Sequence, residues 1–290
     1  MLKKRVIASI IVKDGIAVQS IKFQKYLPIG KPEISIEYLN YWGIDEIILL
    51  DIDATAKKQG PNFELINRVA KMCFVPLTYG GGLNNIEDIK QAVRLGADKI
   101  CLNTAAIENP ELISQAAKIM GNQCIVISID VKKTPSGYKI FKNSGQIETD
   151  LDPINWAKQL EALNAGEIFL NSIDHDGQKQ GYDLELIKQV SIAVSIPVIA
   201  CGGVGHPEHF WQGLTIGQAT AVAAGNYFHF TEQSPITTKA FLMKKDPKQF
   251  RIDTYAKYEN IDFLNSGRIA KQTDDYLEKM RFEYIKQEII

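Results

Sequence analysis

The sequence has few of the residue patterns that mark metal and disulfide sites. None of its four cysteines forms a CxxC pair, and none of its four histidines belongs to an HExxH pattern. The cysteines lie in or beside apolar runs, where a reduced cysteine behaves as a small hydrophobe. A zinc site needs clustered ligands. We therefore expect neither a metal nor a cofactor.

Charge and hydropathy give no sign of two further classes of partner. The net charge of the 290 residues is −1, so no basic excess points to a nucleic acid or an anionic membrane. No apolar run is long enough to cross a bilayer. The basic start before RVIASIIV lacks the longer core and the small-residue cleavage site of a signal peptide. We expect a cytoplasmic protein.

Eight short apolar runs alternate with helical stretches along most of the chain. The runs lie at 6–12, 46–52, 75–81, 99–105, 124–130, 167–173, 197–203 and 220–226. Such runs are typical of strands buried on both faces, and their alternation with helices predicts parallel βα units. Asn109 with Pro110, and Asp152 with Pro153, indicate an N-cap followed by the first helical residue. The predicted fold is an α/β (βα)8 TIM barrel over residues 1–243.

Residues 244–290 follow the barrel as an extra C-terminal tail. The tail is predicted to be partly helical, because Leu277, Met280 and Tyr284 are spaced to line one face of a helix. A helix packed on the outer surface of the barrel is the simpler interpretation. An element that binds a partner is the alternative.

The two halves of the barrel repeat each other. Residues 46–66 align with residues 167–187 at a constant offset of 121, and eleven of these 21 positions are identical. SIIVK at 9–13 also matches SIDVK at 128–132, so that Ile11 corresponds to Asp130. One offset kept through strand, loop and helix predicts two duplicated half-barrels of four βα units.

Small residues follow four of the predicted strands. Glycine lets a backbone approach a phosphate closely, and N–H groups at helix starts bind the anion. The duplication therefore predicts two phosphate sites on opposite sides of one mouth, with tight turns that bind nothing as the alternative. The first predicted site contains Gly81, Gly82, Asn103 and Thr104. The second contains Gly177, Gly202, Gly203, Ala224 and Gly225.

Polar side chains also end the predicted strands. They are Asp51, Asp53, Asn103, Thr104, Asp130, Asn171, Ser172, Asp174 and Asp176. A carboxylate in such a mouth is a candidate general acid or base, although an isolated aspartate often caps a helix or pairs with a lysine. Asp130 is the strongest candidate because its apolar strand places it at the lip of the barrel, and Asp176 is the second.

Charged residues occupy four predicted strand starts, on strands one, two, four and six. They are Arg5, Glu46, Lys99 and Glu167. Strand starts face the bottom of a (βα)8 barrel, which normally serves stability. Two cations and two anions there predict a closed salt-bridge ring, whose role is either stability or a gate.

Together these residues resemble the cyclase subunit of imidazole glycerol phosphate synthase, over roughly residues 1–243. The matching stretches include KRVIAS, VKDG, TYGGGL, GADKICLNTAAIENP, SIDVK, SIDHDG, GGVG and FHF. The resemblance implies a barrel that binds a bisphosphorylated ribonucleotide, a phosphorylated small molecule. It also implies that ammonia arrives from a glutaminase subunit on the strand-start face, through a gate formed by the four charges.

The chain departs from that family at a catalytic position. The family has catalytic aspartates at the ends of strands one and five, and the resemblance assigns them to positions 11 and 130. Ile11 cannot transfer a proton, and a placed acid or base is worth roughly 10²–10⁴-fold in rate. Further departures are Gln19 for a lysine, Gly225 for a serine and LDIDAT for LDITAS.

The LDIDA segment with an apolar residue at position 11 is similar to a glycosyl-amidation branch of the family. That likeness implies a barrel that passes ammonia to a sugar amidotransferase, which converts an acetamido sugar of a surface polysaccharide to an acetamidino sugar. The sequence favours this interpretation. The alternatives are a true cyclase–lyase of histidine biosynthesis that uses Asp130 and Asp176, and a scaffold that only activates a glutaminase.

Overall fold

Eight parallel strands close into a barrel. The computed structural model describes residues 3–230, 233–250, 261–265, 267–270, 273 and 275. Each barrel strand pairs in parallel with the next, and the last strand pairs in parallel with the first. The predicted (βα)8 TIM barrel is confirmed. Its strands are β1 (Arg5–Lys13), β4 (Glu46–Asp51), β5 (Leu77–Gly80), β6 (Lys99–Leu102), β7 (Ile125–Thr134), β10 (Glu167–Ser172), β11 (Val198–Cys201) and β12 (Ala221–Ala224).

Two hairpins extend from β1 and β7 over the carboxyl end of the barrel. The first is β2 (Ile16–Ile21) with β3 (Lys25–Gly30), and the second is β8 (Gly137–Lys142) with β9 (Ile147–Glu148). Their turn pairs, 22–23 and 143–144, are again 121 residues apart, and all four residues have positive φ, as tight hairpin turns require. The sequence does not predict them, because neither turn carries Asn-Gly or Asp-Gly.

Helices cover the outside of the barrel. They are α1 (Pro32–Tyr41), α2 (Asp53–Ala56), α3 (Phe63–Ala70), α4 (Ile86–Arg94), α5 (Thr104–Glu108), α6 (Glu111–Met120), α7 (Pro153–Ala162), α8 (Leu184–Ala193), α9 (Pro207–Thr215) and α10 (Ser234–Lys245). Short 3₁₀ turns lie at Asn122–Cys124 and Asn226–His229. No helix in these described segments is long and apolar enough to cross a membrane.

The two predicted helix starts have different outcomes. Asp152 is the N-cap of α7, and its carboxylate accepts a hydrogen bond from the N–H of Asn155 at 2.9 Å. The prediction for α6 holds to within one residue, because the helix is assigned from Glu111 and Pro110 before it already has helical φ and ψ. Asn109 also ends α5, the preceding helix.

Two separate apolar clusters fill the fold. The larger lies between the strands and the surrounding helices. The smaller contains strand residues only and fills the barrel lumen, with Ile7, Ile48, Cys101 and Phe169 among its members. Successive strand side chains point to opposite faces, so one alternate set of positions on each strand faces the lumen.

The C-terminal tail contacts the barrel through a short described segment. α10 runs to Lys245, beyond the predicted domain boundary at residue 243. Within 261–270, Phe263 packs edge-on against Phe241 of α10, with ring centroids 5.4 Å apart. The helical stripe predicted at Leu277, Met280 and Tyr284 lies outside the described residues, so that prediction and the domain boundary stay predictions.

A buried ion pair ties α10 to the start of the second barrel strand. Lys239 Nζ binds Asp45 Oδ1, with both side chains almost fully buried. The other oxygen of Asp45 accepts the backbone N–H of Val6 at 2.7 Å. One carboxylate therefore joins β1, the residue before β4 and the helix that follows β12, where the barrel closes.

We predict that Lys239→Met lowers the free energy of unfolding by about 3–5 kcal/mol, because it removes a buried cation that binds the Asp45 carboxylate. Chemical denaturation measures the loss. Lys244→Met is the matched control, since the pair between Lys244 and Asp262 is exposed and should contribute at most about 1 kcal/mol. Equal losses in the two variants would contradict the prediction.

Candidate functional site

A cleft opens at the carboxyl ends of the strands. Its volume is about 790 Å³, including its open side. Ile11, Leu50, Asn103, Asp130 and Asn171 line its floor at the top of the lumen. Residues from both half-barrels therefore meet in one mouth, where a (βα)8 barrel normally carries its site.

Asp130 lies on β7 and is 7% exposed. One carboxylate oxygen accepts from the hydroxyl of Ser128 at 3.0 Å, and the other accepts from the amide of Asn103 at 3.3 Å. Burial raises the pKa of Asp130 to about 7, with a smaller upward effect from the charge of Asp176 and a downward effect from the Ser128 hydrogen bond. A carboxyl group with a pKa near neutrality can both accept and donate a proton at physiological pH.

Asp176 follows β10 and is held by the first hairpin. Its carboxylate accepts from the hydroxyl of Ser20 at 2.6 Å and from the N–H of Phe23 at 3.4 Å. Ser20 is fixed in turn by Asn226, whose side chain exchanges two hydrogen bonds with the Ser20 backbone. Burial raises the pKa of Asp176 to about 6 against the effect of these hydrogen bonds. The sequence does not signal Ser20, because its contact with Asp176 spans 156 residues.

Ile11 places a hydrocarbon where the duplication would allow a second carboxylate. It lies in register between Val18 of β2 and Leu50 of β4, and it lines the same cleft as Asp130. No proton can be transferred from this position. Asp51 and Asp130 line this cleft, Asp176 lines the adjoining smaller pocket, and burial raises the pKa of all three carboxyl groups.

Asn171 places a hydrogen-bond acceptor in the cleft for which the described residues offer no donor. Its Oδ1 atom is buried and has no hydrogen-bond partner among the described residues. Buried polar atoms are almost always paired with protein, water or a ligand. An unpaired acceptor on the cleft floor therefore indicates a place for a small donor.

The two sets of predicted phosphate residues come together as two separate groups. The first set, Gly81, Gly82, Asn103 and Thr104, lines one side of the large cleft. The second set, Gly177, Gly202, Gly203, Ala224 and Gly225, lines a pocket of about 300 Å³. The first group follows β5 and β6, and the second follows β10, β11 and β12 on the opposite side of the barrel.

The paired glycines have a packing reason of their own. A Cβ atom on Gly81 would lie 2.3 Å from the carbonyl oxygen of Asp51, and one on Gly202 would lie 2.7 Å from that of Ser172. The two contacts are again related by the offset of 121. Each loop thus needs glycine to pass close to its neighbour, whether or not a phosphate binds, and phosphate binding stays a prediction.

Asp53 is a structural anchor rather than a free acid. It accepts from Lys13 Nζ at 2.9 Å, from the N–H of Asp14 at 2.6 Å and from Lys57 Nζ at 3.2 Å. Burial alone would raise its pKa, but these hydrogen bonds outweigh burial and lower the pKa to about 2. The lysine pairing expected for some of the strand-end aspartates is present here.

The four strand-start charges form a closed ring at the other end of the lumen. Arg5 Nη1 lies 2.8 Å from Glu46 and 2.9 Å from Glu167, and Lys99 Nζ lies 3.1 Å from each of the same glutamates. All four side chains are mostly buried. Two residues further along each strand lie lumen side chains of the apolar cluster, so the apolar layer separates the ring from the mouth. The ring is present, and its role as a gate stays a prediction.

No group of three or more metal-binding side chains lies together among the described residues. The described site offers three carboxyl groups with raised pKa values (Asp51, Asp130 and Asp176), an acceptor without a partner, a glycine-lined side of the cleft and a glycine-lined pocket. These features suit proton transfer on a small polar or anionic molecule.

The class of the protein follows from these observations: it is a (βα)8 barrel of two related halves, with a polar site at its carboxyl end. A family model described as "Histidine biosynthesis protein" matches residues 5–234. The chain belongs to this family and, within it, to the HisF type of imidazole glycerol phosphate synthase subunit.

Individual relatives support this assignment. A Vibrio vulnificus (strain YJ016) protein, provisionally named imidazole glycerol phosphate synthase subunit hisF2, is 43% identical over 92% of this chain and 98% of its own length. Subunits HisF of Clostridium botulinum (strain Okra / Type B1) and Lachnoclostridium phytofermentans are 44% and 45% identical. They cover 84% and 85% of this chain and 98% and 96% of their own lengths.

We predict that Asp130→Asn makes the protein more stable at pH 8, by about 1 kcal/mol or more. A raised pKa means that the folded state keeps a proton which the unfolded chain releases, so wild-type stability falls as pH rises from about 4 to about 7. Urea denaturation at pH 4 and pH 8 measures the difference. Exposed Asp150→Asn is the control, and equal behaviour of both variants at both pH values would refute the prediction.

Proposed function

We propose that this chain is the ammonia-using barrel subunit of an imidazole glycerol phosphate synthase. In this role it is a cyclase–lyase that acts on a bisphosphorylated ribonucleotide. The names of the HisF relatives support the proposal, and so does the extent of the family match. The observation that carries it is the buried Asp130, with a pKa of about 7, in a cleft that has one glycine-lined side and a second glycine-lined pocket across the mouth.

The proposed chemistry assigns proton transfer to two aspartates. Asp130 accepts or donates a proton at the reacting atoms, and Asp176, with a pKa of about 6, is the second acid or base. Residues 81–82 and 103–104 bind one phosphate, and the pocket lined by Gly177, 202–203 and 224–225 binds the other. A ligand with a phosphate at each end is then stretched across the mouth, with its centre above Asp130.

Ammonia is proposed to reach the mouth through the lumen, from a glutaminase docked on the strand-start face. The ring of Arg5, Lys99, Glu46 and Glu167 guards the entrance, and its mutual pairing lowers the cost of burying four charges. Neutral ammonia can cross the apolar layer above the ring, whereas ammonium would pay the desolvation cost of a charge. Asn171 Oδ1, unpaired among the described residues, is placed to accept a hydrogen bond from ammonia on arrival.

A second candidate function is favoured by Ile11. In this alternative the barrel keeps the ammonia path and passes ammonia to a separate sugar amidotransferase, which converts an acetamido to an acetamidino group on a surface-polysaccharide sugar. A hydrocarbon at position 11 is compatible with conduction but not with a two-aspartate mechanism at positions 11 and 130. The relatives named HisF favour the cyclase instead, so a direct assay has to separate the two.

Cyclase activity is predicted to be measurable but weak with ammonium as the nitrogen source. Without an acid or base at position 11, the rate should be about 10²–10⁴-fold below that of an intact two-aspartate cyclase. Turnover of the bisphosphorylated ribonucleotide is followed spectroscopically with excess ammonium. Asp130→Asn should abolish the residual rate, and complete absence of turnover in the wild type would refute the cyclase and favour sugar amidation.

Ile11→Asp is expected to raise this rate at least tenfold, because it restores a carboxylate opposite Asp130. Ile11→Asn is the matched control, since it has nearly the same size and polarity but cannot exchange a proton. If Asp and Asn raise the rate equally, polarity rather than proton transfer limits the reaction, and the assignment of position 11 is wrong.

Lys99→Met is predicted to change the reaction driven by glutamine and glutaminase while leaving the reaction driven by free ammonium within about twofold. Removing one cation opens the ring but leaves the mouth intact, because the apolar layer separates the two. Lys90→Met, on the exposed face of α4, is the control for charge. A parallel loss in both reactions would indicate damage to the fold, and no change in either would refute the gate.

A further inference from the structure

A second cleft lies beside the pocket that holds the second predicted phosphate site. Its volume is about 1270 Å³, including its open side. The loops that follow β10, β11 and β12 form three of its walls, and the described part of the C-terminal tail forms the fourth. Lys179 and Tyr227 line both the cleft and the smaller pocket, so the two spaces adjoin.

The tail segment that forms the fourth wall is held in place by specific contacts. Gly267 has a φ of +78°, and a Cβ atom there would lie 3.0 Å from the N atom of Glu208, at the start of α9. The segment also folds back on itself, because the N–H of Leu264 donates to the carbonyl of Arg268 at 2.8 Å. The match to the Vibrio relative covers 268 of the 290 residues and so must extend at least to Arg268.

The cleft combines positive charge with apolar surface. Lys179 and Arg268 line it, and neither forms a salt bridge with any residue that the structure describes. No carboxylate is among the described residues of its lining. Pro207, Phe230 and Ile269 supply apolar walls, and Lys179 Nζ lies 3.7 Å from the centroid of the Phe230 ring.

These features fit an anion that also carries a flat, weakly polar group. Guanidinium groups bind phosphate oxygens in a bidentate manner, and unpaired cations in a cleft without carboxylates attract anions. The glycine-lined pocket of about 300 Å³ accommodates little more than one phosphate with its nearest atoms. A second phosphate linked to the first would enter the cleft between the two cations, and a planar ring attached to it would meet the apolar walls.

We propose that the C-terminal tail completes a binding site for a nucleoside diphosphate, alone or as the leaving end of a larger ligand. The diphosphate lies between the glycine-lined pocket and the cations Lys179 and Arg268, and the base lies against Pro207 and Ile269. The proposal deepens the proposed function and rests on its second phosphate pocket. It also implies that a nucleoside diphosphate competes with the bisphosphorylated ribonucleotide for that pocket.

Calorimetric titration of the full chain tests the site with ADP, GDP, CDP and UDP, each beside its monophosphate, and with pyrophosphate and inorganic phosphate. At least one nucleoside diphosphate should bind tenfold or more tightly than its monophosphate and than pyrophosphate. Arg268→Gln should weaken that binding at least tenfold and leave inorganic phosphate unchanged. Ile269→Glu, which adds a carboxylate to the cleft, should weaken it similarly, and Lys248→Gln, an exposed cation outside the cleft, should not.

The outcomes separate this inference from the proposed function. If inorganic phosphate binds but no nucleoside diphosphate is preferred, or if Arg268→Gln has no effect, the tail does not complete a site and the inference is wrong. Pyrophosphate binding as tightly as the nucleoside diphosphates would also overturn it, because no base is then recognised. If neither phosphate nor any diphosphate binds, the phosphate pocket of the proposed function is wrong as well. If Arg268→Gln turns over the bisphosphorylated ribonucleotide at the wild-type rate, the proposed cyclase function does not depend on the tail.

Discussion

Closure of the sheet is the constraint on which every functional feature depends. Because β12 pairs with β1, the sheet has no free edge, and alternate residues on every strand face the enclosed lumen. On β1 these positions are Arg5, Ile7, Ser9 and Ile11, which run from the charged ring through the apolar layer to the mouth. A shift of one residue in register would turn this whole series outward. The register of β1 thus sets the ring and the site together.

Much of this arrangement is readable from the sequence because strand and repeat signals are local or periodic. The eight strands, the duplication and the charge at strand starts can be found without a structure, and Arg5 and Glu167 meet as the strand order implies. Ser20 and Asn226 cannot be found in this way, because they act across separations of 156 and 206 residues. The hairpin turns cannot be predicted either, because Lys22 and Phe23 adopt positive φ although neither is a glycine, asparagine or aspartate.

The double glycines show that one sequence motif can have two different structural reasons. A double glycine after a strand suggests a phosphate loop, yet Gly81 and Gly202 are required by the backbone of the preceding unit. Sequence alone cannot separate these causes, because both demand the same residue. The raised pKa of Asp130 cannot be predicted from the sequence either, because it depends on burial that only the folded barrel creates. Asp53, with the same side chain, has its pKa lowered by Lys13 and Lys57.

The hairpins exchange contacts between the two halves, so each half depends on the other for a complete mouth. The turn of the first hairpin secures Asp176 of the second half, while Ser144 and the N–H of Asn143 in the second hairpin bind Ile52 and Thr104 of the first. Neither half can build a finished mouth by itself. The amino-terminal half therefore lacks Asp176, the residue that its own hairpin holds, until the second half has folded against it.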